Sequence, residues 1–380
     1  MVNLSRADVV VIGGGPAGLA AAIAARRAGF DVCVLDRAAP PIDKACGEGL
    51  MPDGLEALRS LGVSFHGQGA PFRGVRFADE RHVAEASFPT HVGLGVRRTQ
   101  LHELLVDHAE AVGVRTLWRR KATGFDKDGV RLDAGLLPCQ WIVGADGVNS
   151  SARRWAALEP PLRSGRRLGL RQHFRVKPWT DFVEVHWARG EQAYVTPVGP
   201  EEIGVALLGR AEELGFSDLA TRFPRLGERL KDAEPTSDMR GAATETMRLR
   251  RVTRGNVALV GDASAAIDAI SGDGVALAFR QATALAEALR RSELAHYEAR
   301  HRQICRAPFL MARLLLSMDR HDGLRKVALA ALSARPEIFG ALLAAHVGER
   351  HPAAASLDVA ALGVRLLVEA AAARLGSVAP

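Results

Sequence analysis

The chain opens on a short apolar run that is rich in β-branched residues, Ala7–Ile12 (ADVVVI). A glycine-rich loop and an alanine-rich segment through Arg27 follow, and a second apolar run occupies residues 31–35 (DVCVL). Uninterrupted apolar runs of this length are typical of buried parallel strands, and the alanine-rich segment between them predicts a connecting helix. The pattern therefore predicts a β-α-β unit at the start of the chain.

Further along, the pattern changes to short runs of strand character between residues 74 and 251. These predict strands of an antiparallel sheet at residues 74–77, 83–88, 169–176, 182–187, 193–197, 203–208 and 244–251. Residues 211–231 predict a helical or partly helical excursion. Residues 292–380 are rich in Ala, Leu and Arg and predict helices, with a stripe at Leu310, Leu314, Leu315 and Met318. The stripe either packs onto the body of the protein or faces a membrane or a lipid tail.

Composition narrows the classes of function. The 380 residues carry a formal charge of +7, and the basic residues are dispersed, so nothing predicts a nucleic-acid interface. The cysteines are widely separated, without the spacing of a zinc site, and indicate reduced thiols; they are Cys33, Cys46, Cys139 and Cys305. No signal peptide is recognised, and no apolar run reaches the roughly 20 residues of a membrane span. We expect a cytoplasmic protein without a metal site.

The loop after the first apolar run has the spacing of a phosphate-binding turn. Gly13 permits a tight turn, Gly15 allows a pyrophosphate to approach the backbone, and Gly18 lets the helix and strand pack closely. Pro16 and Ala17 lie at the helix N-terminus, where free N–H groups attract phosphate. At the end of the second strand, Asp36 is suited to the hydroxyls of a ribose and disfavours a 2′-phosphate; Arg37 follows it. This site suits FAD or NAD.

Two more segments select FAD. Residues 141–153 (WIVGADGVNSSAR) are an apolar strand followed by Asp146-Gly147, and residues 256–278 (NVALVGDASAAIDAISGDGVALA) are a strand that ends at Gly261-Asp262. Together with the N-terminal loop they resemble the fingerprints of the flavoprotein hydroxylase superfamily, which has the para-hydroxybenzoate hydroxylase-like fold and also contains flavin halogenases and geranylgeranyl reductases. The resemblance covers most of residues 7–300.

The resemblance implies an α/β fold: a Rossmann-like FAD-binding domain, an interleaved antiparallel β-sheet substrate domain and a C-terminal helical region. We assign residues 1–73, 95–160 and 245–300 to the discontinuous FAD-binding domain. The substrate-binding domain would comprise residues 74–94 and 161–244, and the C-terminal helical region residues 301–380.

The resemblance also implies roles for particular residues. Asp262 would bind the ribityl chain, unless it merely caps a helix. Arg98 would contact FAD, unless it forms a surface ion pair. The remaining FAD contacts would be Ala122 at the adenine, Asp146 and Gly147 near the pyrophosphate, and Gly272, Gly274 and Val275 at the pyrimidine ring, where a helix N-terminus favours negative charge.

Residues 44–50 (KACGEGL) resemble a cysteine–glycine element of the geranylgeranyl reductase branch, in which the cysteine lies near the flavin ring. Cys46 would tune the flavin or simply pack, and Gly47 would lie against the ring. Lys44 and Glu48 are expected to be solvated. Two positions depart from the better-defined branches: Ala269 replaces a proline, and only Tyr194-Val-Thr-Pro197 remains of an aromatic strand motif. The chain is most similar to CGEGL-type bacterial oxidoreductases.

Candidate residues for the substrate pocket are Gln172, Phe174, His186, Trp187 and Tyr194. The resemblance implies a monooxygenase that uses NADPH or NADH and O₂ to hydroxylate a hydrophobic small molecule through a flavin C4a-hydroperoxide. One alternative is a geranylgeranyl reductase-like ene-reductase of a prenyl or lipid substrate. Another, of a different class, is a non-catalytic FAD-fold binding or escort protein. Peripheral membrane contact would occur through the C-terminal helices.

Overall fold

The computed structural model describes residues 5–159, 163–210 and 214–349. The part of the predicted helical tail after residue 349, and residues 211–213 of the predicted excursion, lie outside the described residues. The tertiary arrangement is a mixed α/β fold built on two large sheets, which confirms the predicted fold class.

The strands form two large sheets and one small one. In chain order they are β1 (Ala7–Ile12), β2 (Val32–Asp36), β3 (Gly49–Leu50), β4 (Ala70–Phe72), β5 (Gly74–Ala78), β6 (Val83–Ser87), β7 (Gly93–Gly95), β8 (Arg115–Trp118), β9 (Ala122–Asp126), β10 (Gly129–Leu132), β11 (Gly135–Gly144), β12 (Arg163–Arg175), β13 (Phe182–Ala188), β14 (Glu191–Gly199), β15 (Glu202–Gly209), β16 (Glu234–Pro235), β17 (Arg240–Arg248), β18 (Thr253–Arg254), β19 (Val257–Leu259) and β20 (Ala265–Ala266).

Some helices lie between strands along the chain, and the others follow the last strand. They are α1 (Pro16–Arg27), α2 (Pro52–Ser60), α3 (Arg98–Ala111), α4 (Ser151–Trp155), α5 (Leu219–Arg222), α6 (Pro224–Leu230), α7 (Gly274–Arg290), α8 (Leu294–Arg320), α9 (Asp322–Ala334) and α10 (Pro336–His346). Two short 3₁₀ turns lie at Gly261–Ala263 and Ala269–Ser271.

The first sheet has the strand order β18-β19-β11-β1-β2-β8, and its inner strands are parallel. Both faces of β1 are buried: Val9 and Val11 pack into one apolar cluster, and Val10 and Ile12 into another. This burial on both faces explains why the sequence of β1 is a continuous apolar run and not an alternating one. The carboxyl ends of the parallel strands therefore meet along one edge of the sheet, where ligands of open α/β sheets bind.

The second sheet has the order β20-β17-β12-β15-β14-β13-β5-β6 and is antiparallel except at the parallel pair β13–β5. The predicted strands all lie in this sheet, with ends shifted by the pairing. Strand β12, predicted to begin at residue 169, begins at Arg163 because its first half pairs with β17. The predicted excursion contains the short helices α5 and α6. Their residues Leu219, Phe223 and Leu226 cover one face of the sheet.

The C-terminal helices cover another part of the second sheet, and the predicted apolar stripe is divided between two environments. Leu315 and Met318 are buried beside Trp187. Leu310 and Leu314 remain 57% and 46% exposed. Among the described residues no single helix has the length and hydropathy of a membrane span. Helices α9 and α10 have the required length and hydropathy only when they are taken together, and the pair is bent by 103°.

Glu184 on β13 makes the second sheet sensitive to acid. Burial raises the pKa of this carboxyl, but hydrogen bonds and charge from His186 and Arg76 outweigh burial and lower the pKa from 4.5 to about 2. A carboxyl that is more acidic in the folded state stabilises the fold above the unfolded pKa, and this stabilisation is lost as the pH falls through the folded pKa. The difference corresponds to roughly 3 kcal/mol at neutral pH.

We therefore expect Glu184→Gln to lower the free energy of unfolding by about 3 kcal/mol at neutral pH. The loss should shrink as the pH is lowered from about 4.5 towards 2. Urea unfolding across this range measures the effect, with Glu80→Gln on the exposed surface as the matched control. A destabilisation that does not change with pH would contradict this account of the carboxylate.

Candidate functional site

A cavity of about 1100 Å³ lies where the carboxyl ends of the first sheet meet the second sheet and the C-terminal helices. The predicted cofactor residues converge on it from separate parts of the chain. Those that line it are Gly13, Gly15, Pro16, Ala17, Asp36, Arg37, Cys46, Gly47, Arg98, Ala122, Asp146, Gly147, Asp262, Gly272, Gly274 and Val275. Gly18 does not line the cavity, because its role is in packing beneath the loop.

The glycine loop after β1 has the close contacts that its spacing predicts. A Cβ atom on Gly18 would lie 1.8 Å from the carbonyl oxygen of Gly13, so any side chain would push α1 away from the loop. Gly13 itself has a φ of 111°, and a Cβ there would lie 2.5 Å from the carbonyl oxygen of Ala145. A Cβ on Gly15 would meet only open space, on the cavity side. The loop therefore offers bare backbone to a ligand.

Asp36 holds this loop and faces the cavity. Its Oδ2 accepts a hydrogen bond from the N–H of Gly14 at 2.8 Å, and its Oδ1 accepts one from the N–H of Ala38 at 2.8 Å. Each carboxylate oxygen has a second lone pair, which leaves acceptors for ribose hydroxyls. The position agrees with the prediction.

His102 on α3 also supports the loop, and sequence reasoning missed it. Its Nε2 lies 2.8 Å from the carbonyl oxygen of Gly14, while its Nδ1 accepts from the N–H of Ile42 at 3.4 Å. Burial lowers the pKa of this histidine, so the neutral ring donates from Nε2. A histidine in a helical pattern gives no local sign of this role.

Asp146 shapes the neighbouring loop through its side chain. Its Oδ2 accepts from the N–H groups of Ser151 and Ala152 at 2.7 and 3.1 Å, and its Oδ1 accepts from the hydroxyl of Ser150. The carboxylate is thus engaged at the start of α4, and Gly147, with a φ of 82°, turns the backbone beside the cavity. This pair contributes loop geometry to the cofactor site.

Arg98 is the clearest sign that the cavity takes an anion. It is the first residue of α3, and the whole residue is only 8% exposed. Within the described residues its Nη1 has no hydrogen-bond partner, and no acid forms an ion pair with its guanidinium. The alternative of a surface ion pair is therefore wrong. A buried guanidinium without a partner is costly, and the pyrophosphate of a dinucleotide would satisfy it.

Asp262 lies inside the 3₁₀ turn Gly261–Ala263, and among the described residues its side chain bonds to Lys44 and not to a helix N–H. Its Oδ2 lies 3.1 Å from Nζ of Lys44, and both side chains are partly exposed at the cavity. Lys44, expected to be solvated, thus links the cysteine–glycine loop to this turn. The N–H of Gly261 donates to Oε1 of Gln281 at 2.7 Å, which fixes the turn against α7.

The loop that leads into α7 is held from both ends. Asp268 is buried, accepts from the N–H of Ile270 at 3.0 Å and pairs with Arg167 at 2.9 Å. The N–H of Ala269 donates to Oγ1 of Thr244 at 2.8 Å, a bond that a proline at this position could not make. The departure at Ala269 therefore exchanges a rigid ring for a hydrogen bond between this loop and β17.

Glu48 is the main correction to the sequence-based picture, because it is buried and not solvated. The residue is 4% exposed and has a φ of 60°. Its Oε1 accepts from the backbone N–H of Arg98 at 2.8 Å, and its Oε2 lies 2.6 Å from Nε2 of His173. Arg171, which lines the cavity, lies 3.8 Å from the same carboxylate and also pairs with Asp43.

The contacts of His173 identify which ring nitrogen carries the proton. Its Nδ1 is approached by the guanidinium groups of Arg97 and Arg171 at 3.1 and 3.2 Å, and by the hydroxyl of Ser237 at 2.8 Å. Because an arginine can only donate, Nδ1 accepts and Nε2 bears the hydrogen that it donates to Glu48. This chain of contacts fastens the cysteine–glycine loop to the second sheet.

Cys46 lies on that loop and lines the cavity. Its Sγ accepts from the N–H of Glu48 at 3.4 Å. Burial raises the pKa of the thiol above its usual range, so the group is neutral. Cys46 therefore contributes an uncharged thiol to the lining of the cavity.

Of the predicted substrate residues, only Tyr194 lines the cavity, with its hydroxyl donating to the carbonyl oxygen of Ile270 at 2.7 Å. The other four predicted residues do not line it. Gln172 donates to the carbonyl oxygen of Ser237, and Phe174 packs under α5 and α6. The Nε2 atom of His186 lies 3.0 Å from Oε2 of Glu184.

Trp187 packs edge-on against Phe77, which itself lines the cavity. Strand alternation places residues on either face, and only the covering elements decide which face becomes the pocket.

The part of the cavity beyond the cofactor residues is an apolar chamber. Its floor includes Val183 and Val185 of β13, and its roof includes Leu315 and Met318 of α8. Leu314 and Leu324 line its exposed mouth. These side chains offer a hydrophobic molecule a largely dry space next to the glycine and cysteine loops.

Comparison with known proteins agrees with this geometry. Residues 6–305 match the family model described as FAD binding domain. The chain is 30% identical over 332 residues to a menaquinone reductase of Mycobacterium tuberculosis, covering 76% of this chain and 78% of the relative. It is 27% identical over 305 residues to digeranylgeranylglycerophospholipid reductase 2 of Methanopyrus kandleri, covering 70% and 73%.

Among solved structures, the p-nitrophenol 4-monooxygenase of Pseudomonas putida DLL-E4 has a TM-score of 0.75 at 18% identity, covering 87% of this chain and 94% of that chain. At this identity the likeness shows the fold. The relatives are named as enzymes, which leaves the interpretation as a non-catalytic escort protein without support. From the family match and the glycine-lined cavity, with its arginine unpartnered among the described residues, the chain belongs to the FAD binding domain family and is an FAD-dependent oxidoreductase.

Proposed function

We propose that the protein is a monooxygenase that uses NADPH or NADH to hydroxylate a hydrophobic small molecule. The observation that carries this proposal is the apolar chamber, which is continuous with the cofactor-binding part of the cavity. Bound FAD would supply electron transfer and the activation of O₂, and the protein would bind, orient and exclude water.

Each part of the site has a task in this proposal. The glycine loop, Asp36 and Arg98 would hold the adenosine and pyrophosphate portions of FAD. Val185 and Met318 would keep water from the substrate face. Cys46 and Tyr194 are poor proton donors, because burial raises the pKa of both groups. Hydroxylation requires a substrate that is oriented in a dry site, and these uncharged groups are compatible with that requirement.

A second candidate is reduction of a double bond in an isoprenoid substrate. The observation that favours it is likeness along most of the chain to two proteins named as reductases, one of menaquinone and one of a digeranylgeranylglycerophospholipid. The apolar chamber would accept a prenyl chain equally well. The monooxygenase would add one oxygen atom to the substrate and the reductase two hydrogens, so analysis of the product separates the two candidates.

The test uses the FAD-loaded protein with NADPH or NADH, alkylphenols and prenylated quinones as substrates, and isotopically labelled O₂. Mass spectrometry of a product that gains one labelled oxygen atom would support the monooxygenase. A product that gains two hydrogens, formed equally well without O₂, would overturn it in favour of the reductase. NAD(P)H oxidation that yields only hydrogen peroxide with every substrate would contradict both candidates.

A further inference from the structure

The wall of the apolar chamber carries an imidazole that the cofactor site does not use. His346 is the last residue of α10 and lines the cavity. Its Nε2 lies 3.0 Å from Oδ1 of Asp273, and its side chain is only 8% exposed. Asp273 immediately precedes Gly274, the first residue of α7. The pair thus lies where the chamber meets the N-terminus of α7.

A second ion pair stands behind the first. Arg280 of α7 pairs with Asp53 of α2, whose side chain is 8% exposed. Within the described residues, Oδ2 of Asp273 and Oδ1 of Asp53 have no hydrogen-bond partner. Two carboxylates and two basic groups therefore share this region, and the charges facing His346 from α2 and α7 are those of Asp53, Asp273 and Arg280.

These surroundings decide the charge of His346. Burial lowers the pKa of the imidazole, but the charges of Asp273 and Asp53 outweigh burial and the opposing charge of Arg280, so the pKa is raised. The protonated ring has two N–H donors. Nε2 lies beside Asp273, and no hydrogen bond joins Nδ1 to a described residue. Because His346 lines the cavity, a ligand atom in the chamber would accept from the Nδ1–H.

We propose that His346 is the polar anchor for the substrate: its Nδ1–H donates to a phenol or carbonyl oxygen of an otherwise apolar molecule. The apolar remainder would extend along α8 towards the mouth at Leu314 and Leu324. This inference rests on the proposed function and deepens it, because it names the group by which a hydrophobic substrate is oriented. Asp273 is the positioning residue, since it fixes the ring and keeps it charged.

The test measures binding without turnover. The FAD-loaded protein, without a reductant, is titrated with para-nonylphenol and with nonylbenzene, which differ by one hydroxyl group, and the flavin absorbance change is followed. We expect the phenol to bind roughly tenfold or more tightly in the wild-type protein, since a hydrogen bond to a charged donor gives a difference of that order. Equal affinities would overturn the proposal without any variant.

Two variants test whether the preference for the phenol over nonylbenzene depends on His346. His346→Gln keeps a donor for Asp273 but removes the cation, and it should bring the two affinities within about twofold of each other. His321→Gln, between α8 and α9 on the exposed surface, is the matched control and should keep the preference. A preference that survives in His346→Gln would place the anchor elsewhere. Because no turnover is involved, these outcomes stand apart from the labelled-oxygen experiment.

Discussion

Replacing Arg98 with methionine is expected to weaken FAD binding by roughly a hundredfold or more. The guanidinium is buried, faces the cavity and has no hydrogen-bond partner for Nη1 among the described residues. Charged hydrogen bonds to a phosphate in a desolvated site are worth several kcal/mol, and methionine replaces the apolar stem of the side chain but none of its donors. Fluorescence titration of the apoprotein with FAD measures the loss.

The same substitution should leave the apoprotein at least as stable as the wild type. An unpaired buried charge destabilises the fold, so removing it relieves a cost that only the cofactor otherwise offsets. Arg59→Met, on the exposed end of α2, is the matched control and should change neither FAD affinity nor stability. An apoprotein that unfolds more easily with Arg98→Met, at unchanged FAD affinity, would show that this arginine is structural.

Replacing Glu48 with glutamine is expected to lower the free energy of unfolding by about 4 kcal/mol. Both of its short-range partners are donors, the N–H of Arg98 and the Nε2–H of His173, and a glutamine oxygen can accept from only one of them. The amide would present its own N–H to the other donor. Arg171, 2% exposed, would also lose a neighbouring negative charge.

Glu48 anchors the loop that contains Cys46 to Arg98 and His173. The substitution should therefore also weaken FAD binding and shift the flavin absorption spectrum. Thermal unfolding of the apoprotein and FAD titration separate the two effects. Glu56→Gln on the exposed face of α2 provides a matched control. Should Glu48→Gln behave like that control in both measurements, the buried network would have no energetic role.

Residues whose role depends on local backbone contacts were predictable from the sequence. Gly13 and Gly18 are required by backbone contacts within the β-α-β unit itself, where a Cβ would strike a carbonyl oxygen. Requirements of this kind leave a spacing that can be read along the chain. Asp36 was predictable for the same reason, since it ends the neighbouring strand.

Other residues gave no such signal, because their environment is created by distant segments. Glu48 meets His173 across 125 positions of sequence, and a lone glutamate between two glycines reads as a solvated loop residue. Gln172 and Phe174 are assigned to a face of β12 only when α5 and α6 cover one side of the sheet. His346 meets Asp273 only because α10 packs beside the residue that precedes α7.

The amino-acid sequence by itself therefore predicted a dinucleotide site, because close backbone approach and phosphate binding demand glycines at short spacing. The resemblance of residues 141–153 and 256–278 to the flavoprotein hydroxylase fingerprints narrowed that prediction to FAD. Only the tertiary structure decided the substrate side. The packing of α8 and α10 against the second sheet buries Leu315 and leaves Leu314 at the mouth. The burial and charge of a side chain depend on which surfaces pack together, and a local sequence pattern contains no information about that packing.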